Sequence, residues 1–430
     1  MLIVNARILT AAESDPWFPD GVIAIRADRI VWIGSRADWL RSPMAAEWAI
    51  DTRLDLGGAL VLPGLINAHS HAGLSTLRGL CDDGDLFEWA RKIGPWTGAL
   101  TDDAMRRGCD LAVREHLANG ITCTCDCARY DPGTFIESAH RYGLRTLSGC
   151  LASDPALRPG PRRNWPDAIA WTHVAMERWA GDPLVRLFLG AHSPYNCSDE
   201  VVRRVKGVCD EWGIDFVMHV AESRVEVERS LAEYGETPVE RLARLGALDE
   251  RSLLVHAVWL SDQDLDILAE RRVRIAHCPT SNAKLASGIA PIAALRARGL
   301  AVGLGTDSML SQNSQNLLEE AKWSVLLQRL RAADGSVLGA ADGFAMATRE
   351  GAAALAWQTD IGSLEPGKLA DIVVLDRPPT RGDGADDAMS DIVFASGPRD
   401  VRMTIVGGRV SYEQGRYPLG EASAAASEAG

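Results

Sequence analysis

The sequence has 430 residues, of which 47% are hydrophobic and 24% are charged, a composition typical of an ordinary globular protein. Its formal net charge of -13 at pH 7 argues against nucleic acid or an anionic membrane as a partner. It shows no secretory signal pattern and no run of about eighteen apolar residues, so we expect a cytoplasmic protein whose nine cysteines are reduced.

Residues 1–58 alternate short apolar runs with turn residues, a pattern typical of strands in a small antiparallel β-layer. From residue 59 to residue 360, short apolar strands alternate with amphipathic helical segments. Eight such units predict a (β/α)8 barrel, an α/β fold that carries its chemistry at the carboxyl ends of its strands. The predicted strands are 59–69, 120–127, 144–151, 185–192, 214–220, 252–258, 273–278 and 300–306.

The strand-and-turn pattern returns after residue 360. We therefore predict that residues 1–58 and 361–420 form one composite β-sandwich beside a barrel of residues 59–360. Residues 421–430 are small and polar, which favours a flexible tail. The polar, proline-rich stretch 152–171 follows the third barrel strand and is either a surface excursion or a loop over the substrate.

Polar residues recur at the carboxyl ends of four predicted barrel strands. The first strand, in ALVLPGLINAHSH, delivers His69 and His71, whose side chains point to the same side of an extended chain. Each such residue alone is compatible with a structural role, but together they indicate one metal site. The other members follow the fifth, sixth and eighth strands: His219, Glu222, His256 and Asp307.

Three histidines and one aspartate are ligands that suit a zinc or ferrous ion. A bound ion of this kind lowers the pKa of water toward neutrality and makes hydroxide available for hydrolysis. Glu222 and His256 remain as proton carriers, because hydrolysis must move a proton from water to the leaving group. The sequence therefore predicts a hydrolase with a mononuclear metal site formed by His69, His71, His219 and Asp307.

Longer motifs extend this pattern over nearly the whole chain. The segments PGLINAHSH, HVAES, LLVHAV, HCPTSNAKLASGIAP, VGLGTDS and EPGKLADIVVLD resemble, in order and spacing, the amidohydrolase superfamily. The likeness is to its aminohydrolase and chlorohydrolase branch, which includes triazine hydrolase, guanine deaminase and S-adenosylhomocysteine deaminase. The resemblance implies a distorted (β/α)8 TIM barrel with a composite β-sandwich. It also implies one divalent metal ion, with Zn2+ as the expected ion and Fe2+ as the alternative. Relatives of this kind often form homodimers, and the resemblance implies such an assembly for this chain.

The resemblance implies a role for each residue of the site. Glu222 corresponds to the acid that protonates a ring nitrogen and then the leaving group. His256 corresponds to the histidine that polarises the attacking water and stabilises the tetrahedral intermediate. Asp307 corresponds to a metal ligand that also accepts the proton of the attacking water. The other implied ligands are His69, His71 and His219.

The substrate side departs from the family pattern. His192 lies where relatives contact the substrate ring, and it is a predicted substrate-binding residue. The segment KIGPWTGALTDD has Trp96 near the position where nucleoside deaminases carry a glutamate for the ribose, and this indole could stack on a flat ring. Ser308 lies in TDSMLSQNSQN, which differs from the more usual TDGAASNN and predicts an altered pocket floor.

Other conspicuous residues are interpreted as structural. Cys123, Cys125 and Cys127 alternate on the second strand, and we expect them to pack in the barrel rather than to bind a metal. His277 is expected to support a loop or a ligand. Solvated positions on helices or loops are expected for the remaining histidines, His116, His140 and His173.

The leading prediction is a metal-dependent deaminase that releases ammonia from an amino-substituted purine, pterin, pyrimidine or triazine. The alternative is a chlorohydrolase, or an amide or urea hydrolase, on the same metal. Chloride leaves without being protonated, so dechlorination needs the acid less than deamination does. A non-catalytic scaffold is an alternative of another class, and the complete ligand set disfavours it. The expected partner is a small-molecule substrate.

Overall fold

Two eight-stranded sheets make up the β-structure of the residues that the structure describes. The computed structural model describes residues 1–14, 16–48, 52–128, 130–157, 164–377 and 384–428. Within these residues, no helix combines the length and the hydrophobicity that crossing a membrane requires.

The first sheet is a parallel barrel whose strands follow one another in sequence order. A bridge between Ser70 and Asp307 joins the two ends of the sheet, so the ring is nearly closed. This confirms the predicted barrel, and it brings residues that follow different strands to one rim. The barrel strands are β6 (Leu65–Ser70), β7 (Ile121–Ala128), β8 (Arg145–Ala152), β9 (Val185–Ala191), β10 (Asp215–Val220), β11 (Ser252–His256), β12 (Arg274–His277) and β13 (Val302–Leu304).

The second sheet is built from both ends of the chain, as predicted, but it is mixed rather than antiparallel. Its first strand pairs in parallel with the fourth and the fifth strand, whereas its pairing with the second strand is antiparallel. The order is β16-β15-β14-β5-β1-β2-β3, with β4 beside β1. These strands are β1 (Leu2–Leu9), β2 (Trp17–Arg26), β3 (Arg29–Ser35), β4 (Arg53–Asp55), β5 (Leu60–Pro63), β14 (Ile372–Leu375), β15 (Val401–Val406) and β16 (Arg409–Glu413).

The predicted strand 59–69 is two strands, one in each sheet. The chain passes from β5 to β6 at Gly64, where an added Cβ would lie 1.9 Å from the Thr122 hydroxyl oxygen. Only glycine allows so close an approach. The two ends of the chain are therefore joined through β5, which pairs with both β1 and β14.

Helices surround the barrel, and several of them begin or end at recognisable capping residues. Ser198 and Ser261 each accept a backbone N–H at the start of a helix, and Gly143 and Gly213 end helices with positive φ angles of 75° and 67°. The helices are α1 (Arg36–Arg41), α2 (Pro43–Glu47), α3 (Leu86–Gly98), α4 (Asp102–Ala118), α5 (Gly133–Tyr142), α6 (Trp165–Arg178), α7 (Asp199–Trp212), α8 (Arg224–Tyr234), α9 (Pro238–Arg244), α10 (Asp262–Glu270), α11 (Pro279–Lys284), α12 (Ile292–Ala297), α13 (Leu317–Ala332), α14 (Ala340–Ala347), α15 (Arg349–Ala354), α16 (Ala385–Ala395) and α17 (Pro418–Glu428).

Two of the predicted segments outside the strands coincide in part with helices. Most of the tail 421–430 lies in α17, which ends at Glu428, and residues 429–430 lie outside the described residues. Alanine and glutamate, which dominate this segment, favour helix. Of the predicted loop 152–171, the part from Trp165 onward begins α6, and residues 158–163 lie outside the described residues.

Candidate active site

The four predicted metal ligands come together at the carboxyl ends of the barrel strands. Ligand nitrogens of His69, His71 and His219 all lie within 4.8 Å of one another, and all three side chains are buried. The Nε2 atoms of His71 and His219 are 3.4 Å apart. Asp307 Oδ1 is 3.3 Å from Nε2 of His69 and 3.5 Å from Nε2 of His71. The structure thus places one carboxylate oxygen beside two of the three imidazoles.

The second ring nitrogen of each histidine faces a polar atom in the barrel wall. Nδ1–H of His71 donates to the carbonyl oxygen of Cys127 at 2.6 Å, and Nδ1–H of His219 donates to that of His192 at 2.7 Å. Nδ1 of His69 is 3.3 Å from Sγ of Cys127. These contacts leave the Nε2 lone pairs directed at the shared centre, the arrangement in which histidines bind metals.

The charge state of the cluster fits a divalent cation. Burial, together with the neighbouring histidines, holds the pKa of His219 well below its ordinary value of 6.5, so its imidazole is neutral. Burial alone would raise the pKa of Asp307, but its interactions with His69 and the other imidazoles hold it well below the usual range. Neutral imidazoles and one carboxylate are the donor set that zinc and ferrous ions accept. The residues present therefore fit a single metal ion.

Glu222 and His256 lie next to this cluster. Their Oε1 and Nε2 atoms are 3.7 Å apart, and both side chains are buried. Nδ1–H of His256 donates to Asn282 Oδ1 at 2.9 Å, which leaves a lone pair on Nε2. The second carboxylate oxygen of Asp307 accepts hydrogen bonds from Ser281 at 2.6 Å and from Ser311 at 2.8 Å.

The backbone is strained where these side chains leave their strands. His256 and Asp307 have φ angles of 74° and 55°, and Ala221 and Ala257 beside them have 52° and 47°. Non-glycine residues rarely adopt this left-handed region, and its cost is tolerated mainly where function requires one geometry. The strain therefore marks the ends of β10, β11 and β13 as parts of one functional rim.

A cavity of about 50 Å3 lies above the ligand cluster, and α3 forms one wall of it. Trp89, Ile93 and Thr97, which are spaced four residues apart on one helix face, line this cavity. Trp96 lies on another face, is 57% exposed, and does not belong to the lining. A larger groove of about 490 Å3 beside α8 and α10 contains none of the six predicted catalytic or metal-ligating side chains.

The other two predicted substrate-binding residues, His192 and Ser308, do line the cavity. Tyr195, which the sequence did not single out, lines it as well and stacks edge-on against Phe87 at a centroid distance of 5.3 Å. Its only sequence signal is its place three residues after His192 at the end of a barrel strand.

His116 is not solvated but fully buried on α4, a correction to the prediction from sequence. Its Nε2–H donates to Gln315 Oε1 at 2.8 Å, and Asn67 lies beside it at 3.2 Å. The helix periodicity of Cys109, Ala112, Val113 and Leu117 could have revealed this, because His116 continues the same apolar face. His140 and His173, by contrast, are more than half exposed, as predicted.

Comparison with known proteins identifies the family. A sequence model described as "Amidohydrolase family" matches residues 60–411, which is most of the chain. The chain belongs to the amidohydrolase family. It is thus an enzyme of the class that hydrolyses carbon–nitrogen bonds, and the resemblance drawn from its motifs is confirmed.

Two curated relatives and one solved structure match this amidohydrolase over most of their own length. The "5-methylthioadenosine/S-adenosylhomocysteine deaminase" of Syntrophobacter fumaroxidans is 35% identical over 418 residues, 97% of this chain and 93% of the relative. The "5'-deoxyadenosine deaminase" of Methanothermobacter thermautotrophicus is 35% identical over 388 residues, 88% of this chain and 89% of the relative. An adenosine deaminase structure from Xanthomonas campestris with bound zinc superposes with a TM-score of 0.90, at 29% identity, covering 100% of this chain and 96% of that one.

Proposed function

We propose that this amidohydrolase removes an amino group from a nitrogen heterocycle by hydrolysis and releases ammonia. The observation that carries the proposal is the pairing of a buried acid, Glu222, with His256 at 3.7 Å, directly beside a cluster that fits one metal ion. Deamination needs such an acid, because an amino group is a poor leaving group until it is protonated. The proposed ligands are His69, His71, His219 and Asp307.

Each side chain has a distinct task in this reaction. A divalent ion bound to the ligand set supplies hydroxide at neutral pH, because it lowers the pKa of water. The Nε2 lone pair of His256 accepts a hydrogen bond from the attacking water, since its Nδ1–H is fixed on Asn282. Asp307 Oδ1 takes up the proton of that water, while Ser281 and Ser311 hold Oδ2 in place.

Glu222 completes the cycle by moving protons to the substrate. Its carboxyl group protonates a ring nitrogen, which makes the adjacent carbon electron-poor. The resulting carboxylate then takes the proton of the newly formed hydroxyl group and passes it to the amine, which leaves as ammonia, and the proton held on Asp307 restores the acid form of Glu222. Glu222 Oε1 and His256 Nε2 lie side by side at 3.7 Å, so both side chains can reach the same reacting carbon. His192 and Ser308 are the proposed contacts to the ring.

The names of the relatives support an aminopurine as the heterocycle. The two curated relatives described above are named as deaminases of adenosine-type compounds, and the superposed structure is described as an adenosine deaminase with bound zinc. We therefore propose zinc as the ion and a 6-aminopurine or its nucleoside as the substrate class.

The proposal is tested by product analysis with zinc-loaded protein. A panel of aminopurines, their nucleosides, aminopterins, aminopyrimidines, aminotriazines and chlorotriazines would be incubated, and ammonia and chloride would be measured separately. We expect ammonia from at least one aminopurine and no chloride. Chloride from a chlorotriazine without ammonia from any substrate would favour the chlorohydrolase alternative. Silence on the whole panel, with zinc bound in stoichiometric amount, would contradict deamination.

A further inference from the structure

One residue of the neighbouring strand supports both histidines of the His-x-His pair. The carbonyl oxygen of Cys127 accepts the Nδ1–H of His71 at 2.6 Å, and its Sγ lies 3.3 Å from Nδ1 of His69. The Nδ1–H of the third histidine, His219, donates instead to the carbonyl oxygen of His192. Among the three ligands, His69 is thus the one whose Nδ1 faces a side chain in the wall, and substitution can change that contact.

We propose that Cys127 is a positioning residue of the metal site, which fixes the ring orientation and the tautomer of His69 through its sulfur and of His71 through its carbonyl. The inference rests on the proposed metal site. It assigns a function to a thiol that we expected from the sequence only to pack in the barrel. An acceptor at Nδ1 keeps the proton there, so that the Nε2 lone pair is available to the ion.

The geometry separates this role from that of a metal ligand. Sγ of Cys127 faces Nδ1 of His69, whereas Nε2 of the same ring faces Asp307. The sulfur therefore lies on the far side of the imidazole from the ligand cluster. A thiolate ligand would instead have to share the centre with the three Nε2 atoms. The thiol therefore contacts a proposed ligand, His69, without being a ligand itself.

The same strand also offers a matched control. Cys123 stands four residues earlier on β7, on the same face, and like Cys127 it is fully buried inside the barrel. No hydrogen bond of Cys123 to a histidine occurs among the described residues. Replacing either cysteine removes one buried sulfur atom, so the general cost of a small cavity should be similar for both. The contact to a metal ligand is the difference that the comparison isolates.

The experiment measures zinc affinity directly, by competition with a chromogenic chelator, in Cys127→Ala, Cys127→Ser and Cys123→Ala proteins. We expect Cys127→Ala to bind zinc about 10-fold to 100-fold more weakly than Cys123→Ala, the range found when an outer-shell partner is lost. The serine hydroxyl keeps an acceptor on the same Cβ, so Cys127→Ser should recover part of the lost affinity. Thermal unfolding of the metal-free proteins should shift equally in both alanine variants.

Two results would overturn the proposal. Zinc affinities of Cys127→Ala and Cys123→Ala that agree within about 2-fold would show that the thiol only fills space. Equal losses in Cys127→Ala and Cys127→Ser would assign the effect to volume rather than to the acceptor. If Cys127→Ala does not fold, the comparison of Cys127→Val with Cys123→Val decides by the same criterion, because valine is close to cysteine in size but offers no acceptor. Because zinc binding is measured without substrate, a failed deaminase assay leaves this test intact.

Discussion

Glu222 and His256 lie 3.7 Å apart, yet they have opposite tasks in the proposed reaction, because one donates a proton and the other accepts a hydrogen bond. The histidine is held by Asn282 through its Nδ1–H, and its pKa is lowered by burial, so it is neutral and ready to accept a hydrogen bond. The glutamate is the group that must deliver a proton. Substitution of this one residue therefore separates proton delivery from metal binding.

Glu222→Gln should keep the metal and lose turnover. The amide preserves the size of the side chain but cannot deliver a proton, so kcat should fall by about 100-fold to 10,000-fold. Zinc content, measured by elemental analysis, should equal that of the unmodified protein. Glu228→Gln on the exposed surface of α8 is the matched control and should change neither quantity. Normal turnover in Glu222→Gln would remove Glu222 from the mechanism.

At the scale of elements, a buried polar network closes the barrel between its first and last strands. Asn67 Oδ1 accepts the backbone N–H of His69 at 3.3 Å and that of Thr306 at 3.0 Å. Its amide also donates to the Thr306 hydroxyl at 2.8 Å, and that hydroxyl donates to Gln315 Oε1 at 2.5 Å. Asn67 thus ties the strand that carries His69 to the segment that carries Asp307. His116 from α4 completes this network through Gln315.

The buried His116 should make stability depend on pH. Burial lowers the pKa of His116 from 6.5 to about 4 in the folded protein. Between these values the unfolded chain binds a proton that the folded protein does not, so stability is lost as the pH falls from 6.5 toward 4. The full difference corresponds to roughly 3 kcal/mol.

Urea unfolding at pH values from 7 to 4 measures this contribution. In His116→Gln the side chain no longer titrates, so the free energy of unfolding should fall less steeply with acid than in the unmodified protein. His140→Gln, which replaces an exposed histidine on α5, should leave the slope unchanged. Parallel pH profiles for His116→Gln and the unmodified protein would contradict the assignment.

The sequence predicted the elements whose signal is local. Each proposed metal ligand ends or follows an apolar strand, so position in the chain alone indicated the barrel rim. His116 was misjudged although the periodicity of α4 signals its burial, and the face of α3 on which Trp96 lies depends on what that helix packs against. The split of strand 59–69 was also hidden, since both halves are apolar and only the approach of Thr122 to Gly64 reveals the break.

At the scale of the whole molecule, one buried ion pair connects the barrel with the sheet formed by the chain ends. Arg145 begins β8, and its Nε and Nη2 donate to the two carboxylate oxygens of Asp371 at 2.9 and 3.0 Å. Asp371 directly precedes β14 and also accepts the backbone N–H of Gly407 at 2.8 Å. The side chains of Arg145 and Asp371 are 2% and 3% exposed. The pair lies at the amino ends of the barrel strands, opposite the active site.

Removal of one partner should destabilise the whole chain without changing the chemistry. Arg145→Met leaves Asp371 as a buried charge without its cation, which should lower the free energy of unfolding by about 3–5 kcal/mol. The double variant Arg145→Met/Asp371→Asn removes the charge as well and should recover much of that loss. Urea unfolding measures both. Turnover per folded molecule should stay unchanged, because neither residue approaches the ligand cluster.

An exposed ion pair provides the control for this prediction. Arg224 and Glu228 on α8 are paired at 2.7 Å, but their side chains are 70% and 56% exposed. Water screens such a pair, so Arg224→Met should change stability by less than about 1 kcal/mol. A loss of similar size in Arg145→Met would mean that the buried pair does not hold the two sheets together. A large loss that the double variant partly reverses would show that burial of the unpaired carboxylate, and not the missing methylene contacts, is the cause.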